Sequence, residues 1–297
     1  MSGPFFLTFL LLICFLCPAV FPLSAQYAGS FGETGAEGHG LKKPVAITFG
    51  ATGNLYVTDA GRNSVVKFSP EGRFLGEAGG PGSKDNSFDL PAGISRRTGF
   101  GLFVCDLHND RLVQLNEDLS VQSMLSLDDK TPDNTFSPFA IAASRDGSLY
   151  AADPADGEVL VLEKDGRIHP LIGKGRAQPL VTLKSRAIAV LADIYMDDAK
   201  SGRIYAFDRF GTFLRDFGRD LIVPDCGLAA VNDTLLGVAD KKQGRILFFS
   251  ANGVEAGSFS TFDGKGAFTP GAFCNRGDTF FILKPDPPAV VVMRVRF

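Results

Sequence analysis

The stretches PVAITF, residues 44–49, and LYVTD, residues 55–59, decide the fold because variants of both return along the chain. The centre of the first is a triplet of small, large apolar and small residues, found in six copies: Ala46-Ile47-Thr48, Gly93-Ile94-Ser95, Ala140-Ile141-Ala142, Ala187-Ile188-Ala189, Gly227-Leu228-Ala229 and Ala272-Phe273-Cys274. Alternation with period two is the signature of a β-strand. Small residues at the same place in every copy predict strands that crowd around a common axis, with the large residue filling the layer between neighbouring units.

The rest of each copy predicts three further strands. The second strand, of the LYVTD type, ends in an aspartate in five copies: Asp59, Asp106, Asp153, Asp198 and Asp240. A third strand follows, then a turn that closes with glycine in four copies, Gly72, Gly166, Gly211 and Gly253, and then a fourth strand. Four strands in each unit are typical of a propeller blade.

The two ends of the chain predict how the ring closes. The chain ends at Phe297 directly after a third strand, and Gln26 to Gly32 resembles the fourth strands of other units. Pairing of this segment with Val290 to Val295 would leave no exposed sheet edge. We therefore predict an all-β, six-bladed β-propeller of four-stranded antiparallel blades, closed by its N-terminal strand. The predicted blades are 41–79, 88–127, 136–173, 183–218, 221–260, and 268–297 with 26–32.

The first residues of the chain predict export. The run from Phe5 to Phe21 carries no charge, and the small residues Ser24 and Ala25 follow it. This pattern predicts a signal peptide, residues 1–25, cleaved near Ala25, and a secreted or periplasmic propeller, residues 26–297, that is not inserted in a membrane. The alternative is an uncleaved N-terminal anchor, although Pro18 and Pro22 interrupt the apolar run.

Composition excludes some classes of protein. With 30 Lys and Arg against 33 Asp and Glu the formal charge is -3, so a dedicated nucleic-acid binder is disfavoured. Without the signal peptide the cysteines are Cys105, Cys226 and Cys274, whose spacing fits neither a disulfide scaffold nor a zinc module. We expect free, apolar thiols, with a Cys226–Cys274 bridge as the alternative, and a monomer.

The first three units resemble the NHL repeat. The resemblance lies in the proline, the small-Ile-small triplet, LYVTD, the polar link AGRNSV at 60–65, VVKF at 65–68 and the glycine turn, and it covers Gln26 to Phe297. Units four to six depart from it, with Ser185 for the proline, Gly237 in the place of Tyr56 and Lys284 for the aspartate. The resemblance implies a six-bladed propeller. The resemblance also extends to secreted amidating lyases, which are NHL-like propellers and hold zinc with channel histidines. Six-bladed lactonases of the gluconolactonase type hold calcium on acidic and amide side chains in the channel.

The chain offers no matching catalytic set. The aspartates that end the second strands are expected to accept backbone N–H groups of the following turn, since five equivalent acids fit a structural role better than catalysis. His39, His108 and His169 are not expected to converge on one metal. No cofactor and no catalytic residue are therefore predicted, with calcium or zinc in the central channel as the alternative.

The loop face is the predicted binding surface, because its loops are polar and differ between units. The candidate binding residues are Arg62, Asn63, His108, Asn109, Lys174, Arg176, Lys241 and Lys242. The main hypothesis is a non-catalytic binding or scaffold propeller outside the cytoplasm that recognises a protein, peptide or glycan. The alternatives are a metal-dependent enzyme at the channel mouth, either amidating-lyase-like or lactonase-like, and a membrane-tethered sensor domain.

Overall fold

Six sheets of four strands each are arranged around one axis. The computed structural model describes residues 23–33, 39–127, 130, 135–173, 183–198, 200–221 and 226–297. The predicted signal segment lies outside these residues except for its last three positions. Within the described residues the regular structure is almost wholly β, with one short 3-10 helix at Leu107–Asn109.

Each of the first five blades is a contiguous antiparallel sheet whose strands follow chain order. Blade 1 contains β2 (Pro44–Phe49), β3 (Leu55–Asp59), β4 (Ser64–Phe68) and β5 (Phe74–Gly79). Blade 2 contains β6 (Pro91–Arg97), β7 (Gly101–Asp106), β8 (Arg111–Leu115) and β9 (Val121–Ser126). Blade 3 contains β10 (Ala140–Ala143), β11 (Leu149–Asp153), β12 (Glu158–Leu162) and β13 (Ile168–Ile172).

The second half of the ring repeats this arrangement. Blade 4 contains β14 (Ile188–Val190), β15 (Ile194–Asp198), β16 (Arg203–Phe207) and β17 (Phe213–Phe217). Blade 5 contains β18 (Gly227–Ala230), β19 (Leu235–Asp240), β20 (Arg245–Ser250) and β21 (Glu255–Ser260). Blade 6 contains β22 (Phe273–Arg276), β23 (Thr279–Pro285) and β24 (Pro288–Arg296), and its fourth strand is β1 (Ser24–Phe31).

The closing strand confirms the predicted ring. β1 pairs antiparallel with β24 from Ser24 opposite Arg296 to Phe31 opposite Val290, with an irregularity after Tyr27. The strand begins two residues before the predicted segment, so Ser24 and Ala25 belong to it. The backbone N–H of Leu23 also donates to the carbonyl of Ser258 at 2.8 Å, which ties the start of the strand to blade 5.

The triplets behave as predicted and show why their small residues are required. The six leading residues, Ala46, Gly93, Ala140, Ala187, Gly227 and Ala272, all line one axial cavity. At Gly93 an added Cβ would lie 2.8 Å from the carbonyl oxygen of Phe139, and the Gly93 N–H donates to that same oxygen at 2.8 Å. The size of the residue at position 93 is therefore limited by the backbone of the next blade, which lies close to it, and not by crowding at the axis itself.

The hydrophobic core is divided into six layers, one between each pair of neighbouring blades. The large residues of the triplets lie in these layers, as Ile94 does between blades 1 and 2 and Ile141 does between blades 2 and 3. Fully burying a side chain of this size contributes roughly 1.5–3 kcal/mol. Since the layers reach the inner strands, the wall of the channel is part of the core and is held rigidly.

The three cysteines of the described residues, Cys105, Cys226 and Cys274, are free thiols. Cys226 and Cys274 form no bridge, so the fold depends on its apolar layers. Within the described residues there is also no helix with the length and hydropathy of a membrane span.

Candidate functional site

The axial cavity is the candidate site. It has a volume of about 480 Å³, within the usual range for small-molecule sites. Its wall is largely apolar, formed by the triplet residues and by prolines such as Pro91, which begins an inner strand, and Pro270, which precedes one. A cavity of this kind holds the body of a small ligand, and its few polar groups would orient that ligand.

Those polar groups gather at one end of the cavity, which we call the upper end. Antiparallel pairing places the beginning of an inner strand beside the end of the second strand, as Pro44 opposite Asp59 shows. Residues just before the inner strands and just after the second strands therefore share this end. Lys43, Arg186 and Lys241 line the cavity there, and we call these three residues the cationic mouth. The described residues of the lining include no Asp, Glu or His.

Buried aspartates position the cationic mouth. The Asp59 carboxylate accepts the backbone N–H groups of Lys42 at 2.6 Å, Lys43 at 2.8 Å and Gly61 at 2.9 Å. The side chain is fully buried. The predicted structural role of Asp59 is confirmed by its hydrogen bond to Gly61 in the turn that follows β3. The same carboxylate also accepts the N–H groups of Lys42 and Lys43, which precede the inner strand β2 and were not part of the prediction. Lys43 therefore projects from a backbone segment that Asp59 fixes.

Blade 4 divides the same task between two neighbouring acids. Asp197 Oδ1 accepts the backbone N–H groups of Arg186 at 2.8 Å and Ala187 at 2.7 Å, and Asp198 accepts those of Lys200 and Ser201 in the turn that follows the strand. With two acids available, Asp197 binds the backbone just before the inner strand β14, and Asp198 binds the turn after β15. Arg186 is thus anchored at its backbone in the same way as Lys43.

The Arg186 side chain is held as well. Its guanidinium carbon lies 4.6 Å from the centre of the Phe139 ring, a cation–π contact. Both residues line the cavity. Phe139 lies immediately before β10, so the pair bridges blades 3 and 4. This contact restricts the position of the Arg186 guanidinium group at the cavity wall.

Lys241 follows β19 and is half-buried beside the thiol of Cys226. Burial raises the pKa of Cys226 well above its ordinary value, although the charge of Lys241 lowers it in part. The thiol is therefore protonated at neutral pH and is a poor nucleophile. Cys226 belongs to the wall of the site, and Lys241 supplies the charge there.

Two predicted binding residues of blade 1 hold loops together instead of facing the cavity. Arg62 donates to both carboxylate oxygens of Glu77, at 2.7 and 2.5 Å, and this hydrogen bonding raises the pKa of Arg62. The Asn63 side chain accepts the backbone N–H of Leu90 at 3.0 Å, across the link between blades 1 and 2. These contacts give both residues a structural role.

The two candidates of blade 2 are engaged in the same manner. His108 Nδ1 lies 3.2 Å from Asp89 Oδ1, and Asn109 donates to the carbonyl of Gly82 at 3.0 Å. Neither residue lines the cavity in the described part of the chain. They fasten the loop after β7 to the link that precedes β6.

Of the remaining candidates that lie in the described residues, Lys241 lines the cavity and Lys242 does not. Lys242 is the exposed neighbour of Lys241, with a backbone N–H that donates to Asp240, and Lys174 and Arg176 lie outside the described residues. The predicted binding residues do not include Arg186 or Lys43. The available signal was position, since both lie one or two residues before an inner strand.

The described residues do not fit the metals that the resemblance implies. They contain no group of three or more His, Cys, Asp or Glu side chains that could hold a metal ion. His39 stacks on Phe74, His108 lies against Asp89 and His169 lies 3.9 Å from Glu163. A channel end that presents ammonium and guanidinium groups repels a divalent cation. No step of the chemistry below is therefore assigned to a metal.

Solved structures share this fold. A gluconolactonase from Xanthomonas campestris matches with a TM-score of 0.65 at 15% identity, covering 86% of this chain and 87% of that one. Virginiamycin B lyase from Staphylococcus aureus matches with a TM-score of 0.62 at 12% identity, covering 92% and 100%. A streptogramin B lyase matches with a TM-score of 0.61 at 13% identity, covering 85% and 79%. No protein-family model matches the chain, and no curated protein matches it in sequence.

These likenesses establish a six-bladed β-propeller, and at such identities they show the fold alone. The comparisons also correct the main functional hypothesis, because lyases and gluconolactonases are among the structural neighbours. The hypothesis of a propeller that only binds a protein, peptide or glycan was wrong. It relied on the lack of a catalytic motif, which carries little weight in a fold whose sites combine residues from distant blades. The channel-mouth enzyme is the better supported alternative.

Proposed function

We propose that this chain is an enzyme that acts at the cationic mouth on a small molecule with a carbonyl group, by hydrolysis of a lactone or ester or by elimination next to the carbonyl. One observation carries the proposal. Three cationic side chains line one end of an apolar cavity whose described lining has no carboxylate.

Both reaction types place negative charge on a carbonyl oxygen. In hydrolysis, water adds to the carbonyl carbon and loses a proton to solvent, the carbonyl oxygen becomes an oxyanion, and the C–O bond breaks as the carbonyl re-forms and the leaving oxygen takes up a proton from solvent. In elimination, the proton next to the carbonyl is lost to solvent to give an enolate, and the leaving group departs with its electron pair as the double bond forms. Fixed positive groups in a site with apolar walls stabilise such charge more strongly than water does.

The aspartates give the site the rigidity that this role needs. Because Asp59 and Asp197 fix the backbone of Lys43 and Arg186, the positions from which these two charged side chains extend are set before the reaction begins. Preorganised charge costs little reorganisation when the oxyanion forms. The role assigned to the cationic mouth is electrostatic stabilisation and orientation of the carbonyl oxygen.

The test is a substrate panel with matched variants. Purified protein is incubated with lactones and esters, followed by acid release in a pH-stat, and with β-substituted acids and esters, followed by absorbance of the new double bond. For any substrate turned over, Lys43→Gln and Lys241→Gln are expected to lower kcat/KM at least about tenfold, since losing one oxyanion-stabilising group costs about 10²–10³ in other enzymes. Activity is expected to survive EDTA.

Sequence neighbours provide the controls. Lys42→Gln and Lys242→Gln remove the same charge from the adjacent positions, which do not line the cavity, and are expected to change kcat/KM less than about twofold, since their charges are exposed and screened. The proposal fails if a folded protein turns over no member of the panel, or if the four variants behave alike. Activity lost with EDTA and restored by a divalent ion would overturn the metal-independent chemistry.

We also infer that the repeats are of the NHL type and that the enzyme works outside the cytoplasm, secreted or in a periplasm. The motifs of the first three units and the apolar segment from Phe5 to Phe21 support these two points. N-terminal sequencing of exported protein is expected to start near Gln26. Retention of Met1 in a membrane fraction would favour a tethered protein instead.

A further inference from the structure

We infer that the groove between blades 6 and 1 binds the phosphate ester of an amino alcohol, with its phosphate on Arg276 and Arg294 and its ammonium group beside Glu71. The groove has a volume of about 410 Å³. It lies at the lower end of the ring, opposite the cationic mouth, because its lining includes Arg276, where the inner strand β22 ends. The inference does not depend on the proposed function, and it follows from three features of the groove.

The first feature is a pair of arginines on blade 6. Arg276 lies opposite Thr279, and Thr279 lies opposite Arg294. Opposite residues of antiparallel strands project from the same face, with Cβ atoms about 4.5–5.5 Å apart. The two arginines therefore flank Thr279, with about 10 Å between their Cβ atoms, and both line the groove. Long side chains at this separation can bring two guanidinium groups to one phosphate.

Both guanidinium groups are accessible. Higher on the same face of blade 6, Leu283 and Val290 are buried against blade 1, whereas Arg276 and Arg294 are exposed. Within the described residues neither arginine forms an ion pair, a hydrogen bond or a ring contact. A phosphate monoester carries a charge of about −1.5 to −2 at neutral pH and accepts charge-assisted hydrogen bonds, so it matches two guanidinium groups better than a single carboxylate does.

The second feature is an acid on the opposite wall. Glu71 lies in the turn between β4 and β5 of blade 1 and lines the groove. A hydrogen bond with Ser69 lowers the pKa of Glu71, so its carboxylate is ionised at neutral pH. The groove thus has positive charge on the wall of blade 6 and negative charge on the wall of blade 1. This distribution complements a zwitterion and not a simple anion.

The third feature is the aromatic base between the two walls. Phe49 and Phe281 line the groove and pack edge to face, with 5.3 Å between their ring centres. Phe31 lines the groove as well. Aromatic faces attract alkylated ammonium groups through cation–π interactions. An ammonium group beside Glu71 would therefore contact both the acid and the aromatic base, and a phosphate alone would use neither.

Titration calorimetry with small probes tests the inference. Phosphocholine and phosphoethanolamine are compared with choline, which lacks the phosphate, and with glycerol phosphate, which lacks the ammonium group. At least one zwitterion is expected to bind at least about tenfold more tightly than both of these, and more weakly as salt increases. Equal affinity of choline would overturn the role of the arginines, and equal affinity of glycerol phosphate would overturn the role of Glu71. Binding of neither zwitterion would overturn the inference.

Variants locate the two charged ends of the ligand. In the double variant Arg276→Gln with Arg294→Gln the affinity for the zwitterion is expected to fall at least about tenfold. In Glu71→Gln it is expected to fall a few-fold, while glycerol phosphate binds no more weakly than before. Lys242→Gln, at the upper end of the ring, is the control and is expected to match the unchanged protein. Melting curves verify folding, and unchanged affinity in the folded double variant would overturn the assignment.

Vesicles distinguish the two sources of such an ester. Sedimentation with phosphatidylcholine or phosphatidylethanolamine vesicles, lost in the double variant, would support the site and identify a lipid headgroup as its ligand. Binding of the soluble zwitterion without sedimentation would support the site and identify a free ester. Sedimentation that persists in the double variant, together with unchanged binding of the soluble zwitterion, would place the ligand elsewhere and overturn the inference.

Discussion

Two sets of charged side chains share the upper end of the propeller, and the fold uses them in opposite ways. The aspartates at the ends of the second strands, such as Asp59 and Asp240, are fully buried and accept the N–H groups of their own backbone. The cationic mouth faces the cavity, with Lys43 and Arg186 exposed. The difference teaches that the acids, although more regular along the sequence, fix the backbone that we call the platform, and that the cationic side chains lining the cavity extend from this platform.

Removing an acid from the platform is expected to have the largest effect. Asp59→Ala leaves three backbone N–H groups without their acceptor, and each unsatisfied buried group costs about 1–3 kcal/mol, so the free energy of unfolding should fall by about 3 kcal/mol or more. Urea denaturation measures this change. Lys43→Gln is expected to leave the free energy of unfolding within about 0.5 kcal/mol. Equal destabilisation by the two variants would contradict the view that Asp59 stabilises the fold and that Lys43 does not.

A substitution at Gly93 tests whether the inner strands hold the channel at a fixed width. In Gly93→Ala the new methyl group would meet the Phe139 carbonyl oxygen at 2.8 Å, and overpacking of this kind costs about 1–3 kcal/mol. Gly266→Ala is the matched control, because its added Cβ has nothing within 4 Å. Thermal melts should show a clear loss for the first variant and almost none for the second. Indistinguishable melts would mean that the inner strands do not hold the channel to a fixed width.

The platform could be predicted from the sequence, whereas most of the mouth could not. Five aspartates at equivalent strand ends, and a triplet repeated in every blade, are periodic signals that report on the backbone of each repeat. Arg186 and Lys43 occur once each, and nothing in their local sequence shows that they reach one cavity from blades 4 and 1. His108 and Arg62 are equally polar loop residues, but Asp89 and Glu77 hold them. Which polar residues line the cavity depends on neighbours that the repeat does not encode.

In blade 6 the charge at the equivalent position is reversed. Lys284 stands where the other blades carry the aspartate, and its ammonium group donates to Asp263 Oδ2 at 2.6 Å. This hydrogen bond, together with the N–H groups of Lys265 and Gly266, lowers the pKa of Asp263 to about 2. A pKa lowered in the folded state stabilises the fold above the ordinary value near 4. That contribution is lost as the pH falls from about 4 towards 2.

Lys284→Met therefore tests whether a paired lysine behaves as part of the platform. The variant is expected to melt a few degrees below the unchanged protein at pH 6, and the difference should shrink as the pH falls towards 2, where Asp263 becomes protonated in both proteins. Melting curves between pH 6 and pH 2 measure the difference. A difference that stays constant with pH would show that Lys284 acts through packing of its side chain and not through the charge of Asp263.

The smallest expected effect concerns Cys226, where platform and mouth meet. Its thiol lies in the cavity wall beside Lys241, and burial keeps its pKa well above the ordinary value despite that positive charge. Iodoacetamide at pH 8 is therefore expected to leave Cys105, Cys226 and Cys274 unmodified in the folded protein and to label all three in urea, as counted by mass spectrometry. Rapid native labelling confined to Cys226, abolished in Lys241→Gln, would mean that the cation outweighs burial at this point. In that case Lys241 would make the Cys226 thiol reactive, and Cys226 would count as a reactive group of the cavity and not as an inert part of its wall.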